Sequence, residues 1–127
     1  MGKKILLVDD DTEMVSMLTE FLGNAGFNLN SLMDGEKVVE IAARVLPDLI
    51  LMDIVMPKKD GWLICQKLKS DKKLKNIPVI LYSGMILEDS SSDPLVEKCD
   101  YMFAKPLDMQ KLLNKIKEFT KVPLRHD

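Results

Sequence analysis

Three consecutive aspartates, Asp9, Asp10 and Asp11, close the apolar run Lys4-Ile5-Leu6-Leu7-Val8, and a fourth, Asp53, closes a second run, Asp48-Leu49-Ile50-Leu51-Met52. If the two runs are neighbouring strands, Asp9, Asp10 and Asp53 meet in one small pocket. Carboxylates at close range repel one another unless positive charge sits among them. A hard divalent cation with oxygen ligands answers that need, and Mg²⁺ suits a shallow site that keeps several waters. The plainer reading makes these acids helix caps and turn residues, and for Asp11 that reading is preferred, as the cap or first-turn acid of the helix that follows. Two further groups stand at the ends of later apolar runs, Ser83 before Gly84 and Lys105 before Pro106. A hydroxyl that donates one hydrogen bond and an ammonium acting as a point charge complete a pocket for a dianion. Taken singly, Ser83 is a turn residue and Lys105 a surface lysine; proline stiffens the turn that carries the lysine.

The elements that must position these groups are legible in the hydropathy pattern. After the first strand, Val15, Leu18, Leu22 and Ala25 recur at helical spacing, with Met14, Met17 and Phe21 widening the stripe and Gly26 ending it. A weaker strand over 27–33 leads through Asp34-Gly35 to a second helix with Val38, Ala42 and Val45, closed by Pro47. The run Asp48 to Met52 is apolar on both faces, as a central parallel strand is. Beyond Asp60-Gly61, residues 62–70 read as a shorter helix and 77–82 as a fourth strand, with Pro78 tolerated near its start. The polar stretch from Met85 to Cys99 is the least legible, with a short helix from about Pro94. Residues 101–104 form a fifth strand, and Asp108 caps a last helix facing inward with Leu112, Leu113, Ile116 and Phe119. One domain is expected over 1–120, with a tail over 121–127. Strands alternating with helices imply right-handed crossovers and an α/β parallel sheet covered on both sides. Ligands of such sheets sit outside the carboxyl ends of the strands, where the four groups above are found.

Composition narrows the function. With 18 Lys and Arg against 20 Asp and Glu, the formal net charge of -2 gives no concentrated basic surface for a nucleic acid duplex. Cys65 and Cys99 stand far apart and in no metal-like spacing; a structural disulfide is one reading, and two buried or half-buried thiols in a reducing compartment is the preferred one. The chain opens with only four apolar residues before Asp9, too few for a secretory signal, and the run 49–56 contains Asp53 and cannot span a bilayer. A cytoplasmic location is expected.

Asp9-Asp10, the run Asp53-Ile54-Val55-Met56-Pro57 with Asp60-Gly61, Ser83, and Lys105-Pro106 together resemble the receiver domains of two-component response regulators (the CheY-like superfamily). The resemblance covers Lys3 to about Thr120. It implies a doubly wound, five-stranded, flavodoxin-like (βα)5 three-layer sandwich. It further implies that Asp53 is the phosphoacceptor, that Asp10 ligates Mg²⁺ directly and Asp9 directly or through water, and that the Val55 backbone carbonyl adds a ligand. Ser83 and Lys105 would bind phosphoryl oxygens. The donor would be a sensor histidine kinase or a histidine phosphotransfer protein, and the product a phosphorelay switch for a downstream protein target. The domain would catalyse only its own phosphorylation and dephosphorylation, with no direct nucleic acid or membrane contact. Dimerisation on activation, through the face around the fourth helix and fifth strand, stays open.

The chain also departs from that family. The aromatic residue usual three positions before the lysine is Met102, flanked by Tyr101 and Phe103, and Lys98-Cys99 stand where a glycine is usual. Val55 and Met85, two residues after Asp53 and Ser83, are apolar and cannot orient an attacking water, so self-dephosphorylation is expected to take minutes to hours. Trp62 reads as half-buried on its helix rather than as a partner contact, and His126 as an ordinary surface residue. Two competing functions are a Mg²⁺-dependent phosphohydrolase with an Asp nucleophile and a flavodoxin-like cofactor binder. The first needs a cap insert that the sequence lacks; the second needs a phosphate loop where the aspartates stand.

Overall fold

A computed structural model of the chain describes residues 2–56, 59–84 and 99–122. The expectations for Met85, for the helix from about Pro94, and for His126 lie outside these residues, as do those for the side chains of Val55 and Trp62.

Five strands form one sheet: β1 (Lys4–Val8), β2 (Asn28–Leu32), β3 (Leu49–Asp53), β6 (Val79–Ser83) and β7 (Tyr101–Ala104). All neighbours pair in parallel, in the order β2-β1-β3-β6-β7. The order reverses direction between β1 and β3, which opens the crevice in which α/β sheets bind ligands. A two-residue antiparallel ribbon, β4 (Val55–Met56) with β5 (Lys59–Asp60), follows β3 directly.

Alternation along the strands divides the core in two. Ile5, Leu7, Leu49, Leu51, Ile80, Tyr82 and Phe103 face α1 (Thr12–Asn24) and α4 (Met109–Thr120) through Leu18, Leu22, Leu112 and Ile116. Leu6, Val8, Ile50, Met52, Val79, Leu81 and Met102 face α2 (Val38–Val45) and α3 (Gly61–Ser70) through Val38, Ala42, Ile64, Cys65 and Leu68. This is the doubly wound three-layer arrangement, with four helices among the described residues. β3 is buried along its full length, as a central strand covered on both faces must be. Among the described residues, no helix is long and apolar enough to cross a membrane.

Local chemistry sets the element ends. Asp11 caps α1 by accepting from the backbone N–H groups of Glu13 and Met14, and Asp108 caps α4 by accepting from Gln110 and Lys111. Gly26, with φ of 100°, turns the chain out of α1 into β2. Two details differ from the sequence reading. Met17 does not widen the buried stripe of α1 but stands 46% exposed, while Met14 and Phe21 pack against the core. The fourth long strand begins at Val79 rather than at residue 77. Pro78 has no N–H to donate, its carbonyl accepts from Ile50 at 2.9 Å, and the Val79 N–H goes to the Asp100 carboxylate at 2.7 Å. On α4, Leu113 and Phe119 face inward and pack half-buried against the core, beside the fully buried Leu112 and Ile116. At the end of α4, the Val122 N–H returns to the Lys117 carbonyl and Val122 packs on the α1/α4 core. Cys65 is buried and Cys99 half-buried, and neither is joined in a disulfide.

Candidate functional site

The carboxyl ends of β1, β3, β6 and the segment after β7 converge on one edge of the sheet. Asp9 is the first residue beyond β1 and is fully buried, and its backbone N–H continues the ladder to the Leu32 carbonyl. Its two carboxylate oxygens accept from different donors: Oδ1 from the Asp11 backbone N–H at 2.9 Å and Oδ2 from the Tyr82 hydroxyl at 2.6 Å. Asp10 is exposed. Asp53 ends β3 and is 5% exposed.

Lys105 joins the group from the far side of the sheet. Its backbone N–H donates to the Ser83 carbonyl at 3.0 Å, fixing the turn after β7 against the end of β6. Its Nζ then donates to Asp53 Oδ2 at 3.0 Å. The same ammonium lies 5.3 Å from the centre of the Tyr82 ring, within cation–π range. The Lys105–Pro106 peptide is cis. Ser83 is the last residue of β6 and is buried, one position beyond Tyr82, which is Asp53's partner in the register.

Burial pushes the Asp9 carboxyl above its ordinary value of 3.8. The hydrogen bonds from Tyr82 and Asp11 oppose that shift, the neighbouring charge of Asp53 adds to it, and Lys105 opposes it. Asp9 and Asp53 are therefore close enough to feel each other's charge, and Lys105 partly offsets the repulsion. Burial also raises the Tyr82 phenol, and the Asp9 carboxylate raises it further, so the hydroxyl is a donor at every working pH.

Behind Asp53, the chain is held close to α3. A Cβ on Gly61 would fall 2.7 Å from both the Cα and the carbonyl oxygen of Ile54, so only glycine admits this approach. Gly61 thus has a mechanical reason: it lets the start of α3 lie against Ile54, the residue after Asp53.

The structure brings Asp9, Asp53 and Lys105 into one connected group, places Ser83 at its edge, and leaves Asp10 at the solvent margin. The acids it brings together, Asp9 and Asp53, are hard oxygen donors of the kind that suits a hard cation. Among the described residues, no three His, Cys, Asp or Glu side chains are gathered closely enough to hold a metal ion between them. Tyr82 is the residue that the sequence reading passed over, taking it only as the end of a strand. The signal was available, because a tyrosine inside a fully buried strand must find a partner for its hydroxyl.

Residues 5–117 match the family model described as "Response regulator receiver domain". The chain belongs to the response regulator receiver domain family. As a receiver domain it is 33% identical over 98% of its length to the response regulator PleD of Caulobacter vibrioides, spanning 27% of that protein. It is 30% identical over 92% of its length to the alkaline phosphatase synthesis transcriptional regulatory protein PhoP of Bacillus subtilis, spanning 48% of that protein. The chain thus spans half or less of these curated relatives. Among solved structures, the signal receiver domain of a histidine kinase from Syntrophus aciditrophicus superposes with a TM-score of 0.81 at 30% identity, covering 99% of this chain and 96% of that one. A response regulator from Chloroflexus aurantiacus gives 0.82 at 24% identity, covering 95% and 99%. Both of these solved structures superpose over nearly the whole of this doubly wound fold.

Proposed function

We propose that this receiver domain is a phosphorelay switch in which Asp53 accepts a phosphoryl group and the change in charge reshapes a protein-binding face. The observation that carries the reading is the 3.0 Å bond from Lys105 Nζ to Asp53 Oδ2 at the carboxyl end of the central strand. A carboxylate buried at a strand end is a nucleophile held in one orientation, and an ammonium beside it is placed for phosphoryl oxygens. In the transfer, an Asp53 oxygen attacks phosphorus while the bond from phosphorus to the donor breaks, and the donor leaves with the electron pair. Phosphoryl transfer asks for little more than alignment and positive charge around the equatorial oxygens. Mg²⁺, held by Asp9, Asp10, Asp53 and the Val55 carbonyl, would supply the remainder of that charge.

The consequence for binding follows from the connections of the pocket. Ser83 closes β6, Lys105 follows β7, and the two are joined through the Lys105 N–H to Ser83 carbonyl bond. A dianion on Asp53 attracts the Ser83 hydroxyl and the Lys105 ammonium together, and so moves the ends of β6 and β7 as a unit. Each charge-assisted hydrogen bond contributes about 1.5–3 kcal/mol, enough for two or three to bias a two-state surface. With Met102 buried in β7, no aromatic toggle at that position is invoked.

In this reading the donor is a sensor histidine kinase or a histidine phosphotransfer protein, and the recipient of the signal is a downstream protein. Catalysis is confined to the domain's own phosphorylation and dephosphorylation, the setting is cytoplasmic, and neither nucleic acid nor membrane is contacted directly. The near-neutral charge supports the absence of a nucleic acid surface. A general phosphohydrolase gains no support, since the family match spans nearly the whole chain. The test of the switch is an amide spectrum recorded with Mg²⁺ before and after addition of beryllofluoride, a phosphoryl mimic. Shifts extending from Asp53 to Ser83, Ala104 and Lys105 are expected. Shifts confined to the residues beside Asp53 would refute the switching role.

A further inference from the structure

The Tyr82 side chain leaves β6, passes the carboxyl end of β3 and reaches an acid at the end of β1. Since β3 lies between β6 and β1 in the sheet, the phenol spans the strand that carries Asp53. Its hydroxyl donates to Asp9 Oδ2 at 2.6 Å, and its ring lies 5.3 Å from the Lys105 ammonium. One rigid side chain therefore hydrogen-bonds Asp9 and lies within cation–π range of Lys105, the two charged neighbours of Asp53. Packing alone does not call for the hydroxyl. A phenylalanine would fill the same space among Ile5, Leu7, Leu51 and Phe103 without having to satisfy a buried polar atom.

Asp9 gains orientation from this contact. With Oδ2 held by Tyr82 and Oδ1 held by the Asp11 N–H, the carboxylate plane is fixed at both ends. Each oxygen then presents its remaining lone pair in one defined direction. That constraint matters most for a cation that demands a near-ideal octahedron at short distances, and least for a larger cation that tolerates irregular shells. Partners that orient an acid without touching the ion commonly change metal affinity by about 10–100-fold when removed.

We infer that Tyr82 is a positioning residue of this site, pinning Asp9 through its hydroxyl and supporting Lys105 with its ring, and that it sets the preference for Mg²⁺ over larger divalent cations. The inference rests on the reading of Asp9 and Asp53 as part of a Mg²⁺-dependent phosphoacceptor site.

The experiment is isothermal titration of wild type and Tyr82→Phe with Mg²⁺ and, separately, with Ca²⁺. Phenylalanine keeps the ring and the core packing and deletes only the hydroxyl. The expected result is a loss of about tenfold or more in Mg²⁺ affinity with a smaller loss for Ca²⁺, so that the ratio between them falls. Equal affinities in variant and wild type would overturn the inference. Equal losses for both cations would overturn it too, since they would report general loosening rather than aim. If wild type itself binds no Mg²⁺, the underlying reading fails before the variant is considered. A second readout uses wild type alone: the ring resonances of ¹³C-labelled Tyr82 should move in step with Mg²⁺ occupancy. A stationary Tyr82 signal alongside measured Mg²⁺ binding would equally overturn the inference.

Discussion

Lys105 Nζ stands 3.0 Å from Asp53 Oδ2, joining the segment after β7 to the end of the central strand across 52 residues of sequence. The lysine is the nearer to solvent of the two, with its side chain 28% exposed against 7% for Asp53. Replacing it by methionine keeps the length of the stem and removes the charge. Lys105→Met should slow phosphorylation by a small acyl phosphate about 10²-fold, the usual loss when one donor to transition-state charge is deleted. It should also destabilise the fold by about 1–3 kcal/mol, because a buried carboxylate loses a partner. Quench-time mass spectrometry and urea denaturation measure the two effects. An unchanged rate would remove Lys105 from the chemistry.

Asp9 gives a pH dependence whose sign is fixed. Its folded-state value is raised above 3.8, mainly by burial, so folding favours the protonated form. The contribution of Asp9 to stability is therefore fully present below 3.8 and is lost as pH rises through the folded-state value. In Asp9→Asn, Oδ1 still accepts from the Asp11 N–H, and the Tyr82 hydroxyl can rotate to accept from the new amide. Measured in EDTA, the variant should melt above wild type at pH 7, with the gap closing as pH falls towards 4. A variant less stable than wild type at pH 7 would show that the hydrogen bonds outweigh burial.

Gly61→Ala tests the ribbon behind Asp53. A methyl group there would meet Ile54 at 2.7 Å, so backbone must move, at a cost of about 1–3 kcal/mol. The same movement displaces the chain that follows Asp53, and phosphorylation should slow as stability falls. Unaltered stability in a thermal melt would mean that the approach relaxes without cost.

Asp53, once phosphorylated, should keep its phosphoryl group for minutes to hours, because the residue two beyond it is the apolar Val55. Val55→Asn, which supplies a group able to orient water, should shorten that lifetime. Equal decay of phosphoprotein in the two proteins, followed by intact mass, would exclude the assignment.

The parts of the structure that could be read in advance are those with a local cause. Leu49 to Met52 carries no polar residue, and only a strand covered on both faces hides such a run. Asp11 and Asp108 sit immediately before amphipathic patterns and cap them. Asp9 and Asp53 come together because parallel strands in one sheet end on the same edge. What stayed hidden depends on contacts distant in sequence or on elements too short to show a period. The bond from Tyr82 to Asp9 joins residues 73 positions apart, and no spacing rule reports it. The β4–β5 ribbon has two residues on each side, too few for alternation to be visible. Met17 lies on the helical stripe by spacing, yet it stands at the margin of the face that buries Leu18 and Leu22 and stays 46% exposed.

The phosphoacceptor assignment is tested most directly by intact mass after incubation with Mg²⁺ and a small acyl phosphate, beside Asp53→Asn treated identically. A single added phosphoryl group in wild type, absent without Mg²⁺ and absent from the variant, is the expected result. Addition of the same group to Asp53→Asn would place the acceptor elsewhere and contradict the assignment.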